Sequence, residues 1–307
     1  MYSGPVIDTF LHGPWIGDAT DLSRADRVDW GHDKRLHRVM QTFSHVGTQG
    51  AQTNFRSVEA VLQEMGAAGV DHAVLAVKVY YPAKAQAVLA LNKSFAELAA
   101  ASDSKLKWIA SLIPPELGAG SYWDLMENSR MLDALADLPG LCGVHITPSP
   151  WGIAPNDRWF YPAYAKCVEL ELPVYSYVGA PGPLWPMELN NPAHLDDVAL
   201  AFPDLTIIAH HIGDPWTDIS VRLAARHENF YICTSAWAPK SYPAALFKFL
   251  AGGWHGVKGC DKVLFASDYP LMDISRCTAS ARKMPLDADR LAAFLHGNAA
   301  KLFGFEA

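Results

Sequence analysis

Chemistry is most legible in this chain where histidines and an aspartate close short, apolar, β-branched runs. His12 follows Val6-Ile7-Asp8, His145 ends Cys142-Gly143-Val144, His210 and His211 end Ile207-Ile208-Ala209, and Asp268 follows Leu264-Phe265-Ala266. Lys78 and Tyr177 close two further runs. Imidazole nitrogens and a carboxylate converging from different runs can ligate a divalent metal, or can pass protons to and from a bound molecule. A single histidine in such a place is most often a hydrogen-bonded structural group. Four of them with a terminal aspartate point to a site. Nucleophilic catalysis has no support, because no Gly-x-Ser-x-Gly elbow occurs and no cysteine follows a run near a base.

These residues act together only if their runs are neighbours that end on one side. Apolar runs at 5–10, 72–79, 106–112, 141–147, 173–178, 206–210, 230–234 and 262–266 alternate with helical patterns at 57–68, 83–102, 121–137, 160–171, 192–202, 216–227, 242–250 and 287–302. The runs are almost continuously apolar, as parallel strands covered on both faces require. Helix starts carry ordinary signals, such as Ser121 ahead of Asp124 and Asn191 before Pro192. Eight such pairs predict a single α/β domain over 1–307, a (β/α)8 TIM barrel with its chemistry at the C-terminal strand ends. A doubly wound sheet would want a glycine-rich turn after the first strand, and Asp8-Thr9-Phe10-Leu11-His12-Gly13 lacks one. The stretch 13–52 is long for a connection and reads as a loop, either an active-site lid or an insertion.

With 307 residues and 50% hydrophobic content the chain can bury a full core, so a disordered protein is excluded. A formal charge of −7, with no dense cluster of Lys and Arg, argues against nucleic acid or an anionic membrane as partner. No run of eighteen apolar residues exists to span a membrane, and Met1 does not open a basic-then-apolar leader. Cys142, Cys167, Cys233, Cys260 and Cys277 form no C-x-x-C pair. They read as reduced thiols of a cytoplasmic protein, not as a disulfide frame or a thiolate zinc site.

Five motifs stand out: Val6-Ile7-Asp8-x-x-x-His12, Leu172-Pro173-Val174, Ile208-Ala209-His210-His211-Ile212-Gly213, Leu264-Phe265-Ala266-Ser267-Asp268-Tyr269-Pro270 and Gly297-Asn298-Ala299-Ala300-Lys301-Leu302-Phe303-Gly304. Together they resemble the amidohydrolase-related family of the amidohydrolase superfamily. The resemblance implies a (β/α)8 barrel and an activity among metal-dependent hydrolases, non-oxidative decarboxylases or metal-free lactonases. Two departures matter. Phe10 stands where the resemblance implies the first metal-binding histidine, and Tyr177 where it implies the fifth-strand histidine. Of the implied ligands, His12, His211 and Asp268 remain. These three plus water could hold zinc or manganese with an open position. The losses on separate strands lead to the expectation of no cofactor, with one divalent metal as the alternative.

The resemblance gives Asp268 the task of taking a proton from the attacking water. The leading expectation is therefore a hydrolase cleaving a small cyclic or aromatic ester, lactone or amide, with oxyanion donors among His12, His210, His211, Lys78 and Tyr177. The alternative is a non-oxidative decarboxylase or lyase of an aromatic or dienoic acid; a second alternative is a catalytically dead, ligand-binding barrel. Lys78 could hold a carboxylate or snorkel to solvent, and His145 could face the substrate or be structural. Trp15, Trp151, Trp185, Trp216 and Trp237 each follow a different strand, joined by Tyr80, Tyr81 and Tyr269. Aromatic walls of this kind hold small cyclic or aromatic ligands, whereas the plainer reading has the rings packing loops or a subunit interface. The expected partner is a small organic substrate, and symmetry statistics favour a homodimer.

Overall fold

The computed structural model describes residues 2–12, 57–80, 83–116, 124–182, 185–269 and 271–305. The apolar runs become strands β1 (Ile7–His12), β2 (His72–Ala76), β3 (Leu106–Ser111), β4 (Leu141–Ile146), β5 (Val174–Tyr177), β6 (Ile207–His210), β7 (Phe230–Cys233) and β8 (Val263–Leu264). Each pairs in parallel with the next, in the order β1 to β8. Backbone bonds close the ring between β1 and the segment after β8: Thr9 N to Phe265 O at 3.0 Å, Asp268 N to Phe10 O at 3.1 Å, and His12 N to Tyr269 O at 2.8 Å. The last two run between candidate site segments, so closing the barrel also sets Asp268 beside His12.

Around the strands lie α1 (Val58–Ala68), α2 (Ala85–Ala100), α3 (Glu127–Leu135), α4 (Pro148–Trp151), α5 (Tyr161–Glu169), α6 (His194–Ala201), α7 (Thr217–Arg226), α8 (Ala244–Gly252), α9 (Ile274–Ala281), α10 (Ala288–Ala292) and α11 (Asn298–Phe303). Local chemistry sets their ends. The Ser57 hydroxyl accepts from Ala60 N at 3.2 Å to start α1, and Gly69 ends it in the left-handed region at φ 66°. Asp273 and Asp287 cap α9 and α10 in the same way.

Burial divides the apolar residues into two layers. One lies between strands and helices and includes Leu11, Leu75, Trp108, Val144 and Ile207. The other fills the barrel with Ile7, Phe10, Val74, Ile109, Tyr175, Ile208, Cys233 and Leu264, plugged by Phe303 and Phe305. The two layers explain why the strand sequences show no polar alternation.

Three details depart from the sequence expectation. The helical pattern at 287–302 is broken by a π-turn, Ala293–Gly297, between α10 and α11. There Asn298 Nδ2 donates to Cys260 O at 2.6 Å and Val263 O at 2.8 Å, tying the helix start to the foot of β8. The short α4 and the whole of α9 lie in stretches expected as connections. The loop at 13–52, with Trp15, lies outside the described residues, as does Tyr81. All five cysteines are free and buried. Among the described residues no helix is long and apolar enough to cross a membrane.

Candidate active site

The first strand carries a local irregularity that shapes the site. Ile7 and Phe10 are of opposite parity yet both point into the barrel. A register shift between Asp8 and Leu11 permits this. Phe10 is thereby a fully buried floor, its ring 3.7 Å from that of His210 and 5.5 Å from that of His145. Two residues on, His12 Nε2 lies 3.0 Å from Asp268 Oδ1.

Lys78 enters from the end of β2. Its ammonium is 3.1 Å from His12 Nε2, 3.9 Å from Asp268 Oδ1 and 4.7 Å from the centre of the Phe10 ring. Only 8% of the Lys78 side chain is exposed, so it turns inward and does not snorkel past the rim. One ring nitrogen of His12 thus faces both a donor and an acceptor. While Asp268 is ionised, a proton on Nε2 satisfies the carboxylate; a bare Nε2 would accept from Lys78 but oppose Asp268 lone pair to lone pair.

On the opposite wall, His211 Nδ1 meets the Ser235 carbonyl at 3.1 Å and the Ser235 hydroxyl at 3.0 Å. The carbonyl can only accept, so Nδ1 carries the proton and donates, leaving Nε2 as a lone-pair donor. The His210 and His211 rings lie 3.5 Å apart, with Tyr177 4.5 Å from His211. The backbone here is unusual. His211, Ile212 and Asp268 have φ of 76°, 58° and 65°, a region that costs non-glycine residues of order 1 kcal/mol each and a β-branched one more. Gly213 comes next at φ 84°, where a Cβ would come within 2.4 Å of Ser220 Oγ. Two candidate site side chains are therefore aimed by left-handed backbone.

Burial pushes the Asp268 carboxyl upward, but the charges of His12, Lys78 and His211 outweigh it and hold the group well below the usual carboxylate range. Burial lowers His211 to about 4, with Asp268 opposing and Lys78 adding to the fall. His12 is lowered by burial and Lys78. His145 and His210 are pushed well down by burial and neighbouring cations. Among the described residues the site thus favours an ionised aspartate and neutral histidines beside the Lys78 side chain. Beneath it, burial raises Asp8 to about 7 against hydrogen bonds from Ser267 and Phe10.

Among the described residues, His210, His211 and Asp268 bring ligand atoms within 4.8 Å of one another. Both ring nitrogens of His210, and both of His145, are buried without a hydrogen-bond partner. Two neutral imidazoles and a carboxylate suit zinc or manganese, and a bound cation would satisfy one orphaned His210 nitrogen. In donor type and spacing this set fits a divalent ion. It differs from the expected His12, His211 and Asp268, because His12 Nε2 is already engaged by Asp268 and Lys78.

The structure thus brings His12, Lys78, His145, Tyr177, His210, His211 and Asp268 together at one mouth. The tryptophans divide. Trp151, expected at a substrate wall, is 2% exposed and donates from Nε1 to Val79 O at 2.8 Å, packing beside Trp159 and Phe160. Its indole holds the backbone next to Lys78. Trp185 lies tilted against Tyr80, 5.4 Å between rings, and Trp237 is partly buried against the outer core layer. Ser235 was not anticipated. It stands two residues beyond β7, a strand end that carried no histidine or acid to draw notice.

Residues 33–305 match the amidohydrolase family. The chain belongs to that family. No curated protein matches this amidohydrolase-family chain in sequence. Among solved structures it is similar to an uncharacterised TIM-barrel protein of Bordetella bronchiseptica, with a TM-score of 0.76 and 24% identity, over 98% of this chain and 99% of that one. It is also similar to the 5-carboxyvanillate decarboxylase of Novosphingobium aromaticivorans, complexed with manganese and 4-hydroxy-3-methoxy-5-nitrobenzoic acid. There the TM-score is 0.72 and the identity 17%, over 99% of this chain and 98% of that one. A dihydroxybenzoic acid decarboxylase of a Polaromonas species, with bound manganese and the inhibitor 2-nitroresorcinol, gives 0.67 and 15%, over 99% and 97%. At these identities the likeness is one of fold, and it agrees with the eight-stranded barrel of this amidohydrolase-family member.

Proposed function

We propose that the chain is a non-oxidative carboxy-lyase that releases carbon dioxide from an aromatic or dienoic carboxylic acid. The observation that carries this reading is the Lys78 ammonium, buried between the Phe10 ring and the ionised Asp268. A dry cation above an aromatic floor recognises an anionic, flat substrate, through its carboxylate or a neighbouring oxygen. The hydrolytic reading asks Asp268 to take a proton from water, but its Oδ1 already faces His12 Nε2 at 3.0 Å and the Lys78 ammonium at 3.9 Å. Decarboxylation needs no water and gains from its exclusion. The two decarboxylases of similar fold support the same choice.

In this reading the bond between the ring carbon and the carboxylate breaks, carbon dioxide leaves, and the electron pair stays on the ring carbon. His12, protonated to the imidazolium that Asp268 stabilises at 3.0 Å, delivers a proton to that carbon and returns to its neutral form. Its 24% exposed side chain is then reprotonated from solvent. Lys78 balances the negative charge of the substrate, and Tyr177 forms a wall beside His211. A divalent ion held by His210, His211 and Asp268 would supply Lewis-acid polarisation of a substrate oxygen.

A second reading, hydrolysis of a lactone or ester, is favoured by one observation: the His12 side chain is oriented by Asp268 and keeps 24% of its surface exposed, enough to meet a water. One experiment separates the two. The protein, with and without added manganese, is incubated with hydroxybenzoates, dienoic acids and lactones, while carbon dioxide and acid release are monitored. Carbon dioxide from an aromatic or dienoic acid, lost in His12→Gln, is expected. Acid release from a lactone with no carbon dioxide from any acid would establish hydrolysis instead.

A further inference from the structure

We infer that Lys78 is a resident cation of the site which competes with a divalent metal for Asp268 and so sets the site's metal affinity. The inference is independent of which reaction the site runs.

Phe10 and Lys78 fit together at the mouth. Phe10 occupies the place where a histidine ligand was implied, removing a donor and presenting a ring face. The Lys78 ammonium lies over that face at 4.7 Å, where the ring's quadrupole attracts a cation. The same ammonium is 3.9 Å from Asp268 Oδ1 and 3.1 Å from His12 Nε2. It therefore engages two of the three groups the resemblance would have given to a metal. The remaining set of His210, His211 and Asp268 is intact in spacing, but its only anionic member already faces a positive charge. With the side chains of Lys78 and Asp268 only 8% and 2% exposed, solvent screens this competition little.

A metal ion entering the set must share Asp268 with Lys78 or displace it. Removing the lysine charge should raise metal affinity, while a charge-preserving change should leave it low. A lysine amine that donated to the metal would instead weaken binding when removed, and one that only positioned substrate would leave binding unchanged.

The test is equilibrium manganese binding by the full chain, read from the spectroscopic signal of free manganese, for wild type, Lys78→Met and Lys78→Arg. The expected result is a dissociation constant at least about tenfold lower in Lys78→Met, with Lys78→Arg close to wild type. If Lys78→Met melts too low to assay, Lys78→Gln is read by the same criterion. Equal or weaker binding in the charge-free variant overturns the inference. Because the readout is affinity and not turnover, its failure leaves the carbon dioxide assay untouched, and the reverse also holds.

Discussion

Removing both charges of the Lys78 and Asp268 pair should be far less harmful than the two single changes imply. At 3.9 Å and an effective dielectric of about 20, two unit charges attract by about 4 kcal/mol. His12, bonded to the same carboxylate oxygen, takes part of that attraction, so a coupling energy of about 2–4 kcal/mol is expected, inside the range of roughly 1.5–7 kcal/mol known for close charge pairs. Asp268→Asn removes the carboxylate that both Lys78 and His12 face and should destabilise by about 3–5 kcal/mol. Lys78→Met should lose less, about 1–3 kcal/mol, because His12 still faces the carboxylate. The double variant should then be more stable than the sum of the singles by the coupling energy. Urea unfolding in chelator-treated buffer measures all four corners of this cycle. Additive losses, with coupling under about 0.5 kcal/mol, would refute the placement of Lys78 beside Asp268.

Neighbouring contacts set three further outcomes. Ser235→Ala removes the hydroxyl at 3.0 Å from His211 Nδ1 but keeps the carbonyl at 3.1 Å; stability should fall by about 0.5–1.5 kcal/mol, and manganese affinity by no more than about tenfold, both measurable by titration. Trp151→Phe leaves the buried Val79 carbonyl without its indole donor and should cost about 1–3 kcal/mol in a urea melt, while an unchanged melt contradicts that bond. Asp8 sets a pH dependence. Its native pKa of about 7 lies above the ordinary 3.8, so its contribution is full below pH about 4 and is lost as pH rises through 7. Between pH 5 and 8, Asp8→Asn should therefore gain on wild type by on the order of 2–3 kcal/mol. Parallel pH profiles for the two proteins would show that Asp8 is not buried as a strained carboxyl.

The fold was legible because both faces of every strand are covered, which makes the strands read as short apolar blocks between helical patterns. The mouth was legible in outline through the rule that parallel strand ends converge. Barrel closure then sets His12 and Asp268, from opposite ends of the chain, 3.0 Å apart. What stayed hidden depends on backbone angles and side-chain direction. The left-handed backbone at His211 and Asp268 has no glycine to announce it. The register shift in β1 cannot be read from Thr9-Phe10-Leu11. Whether Lys78 turns inward or outward is decided by Phe10, His12 and Asp268, which are distant in sequence. A tryptophan after a strand looks alike whether it walls a pocket or anchors a carbonyl, so the bond from Trp151 to Val79 could not be read from the sequence.

The most direct test of the central claim is solvent deuterium incorporation during turnover. With an aromatic or dienoic acid in deuterated buffer, one carbon dioxide should be released per product and one deuterium should appear at the carbon that lost it, both abolished in His12→Gln. Acid release from a lactone, with neither carbon dioxide nor carbon-bound deuterium from any acid tried, would contradict it.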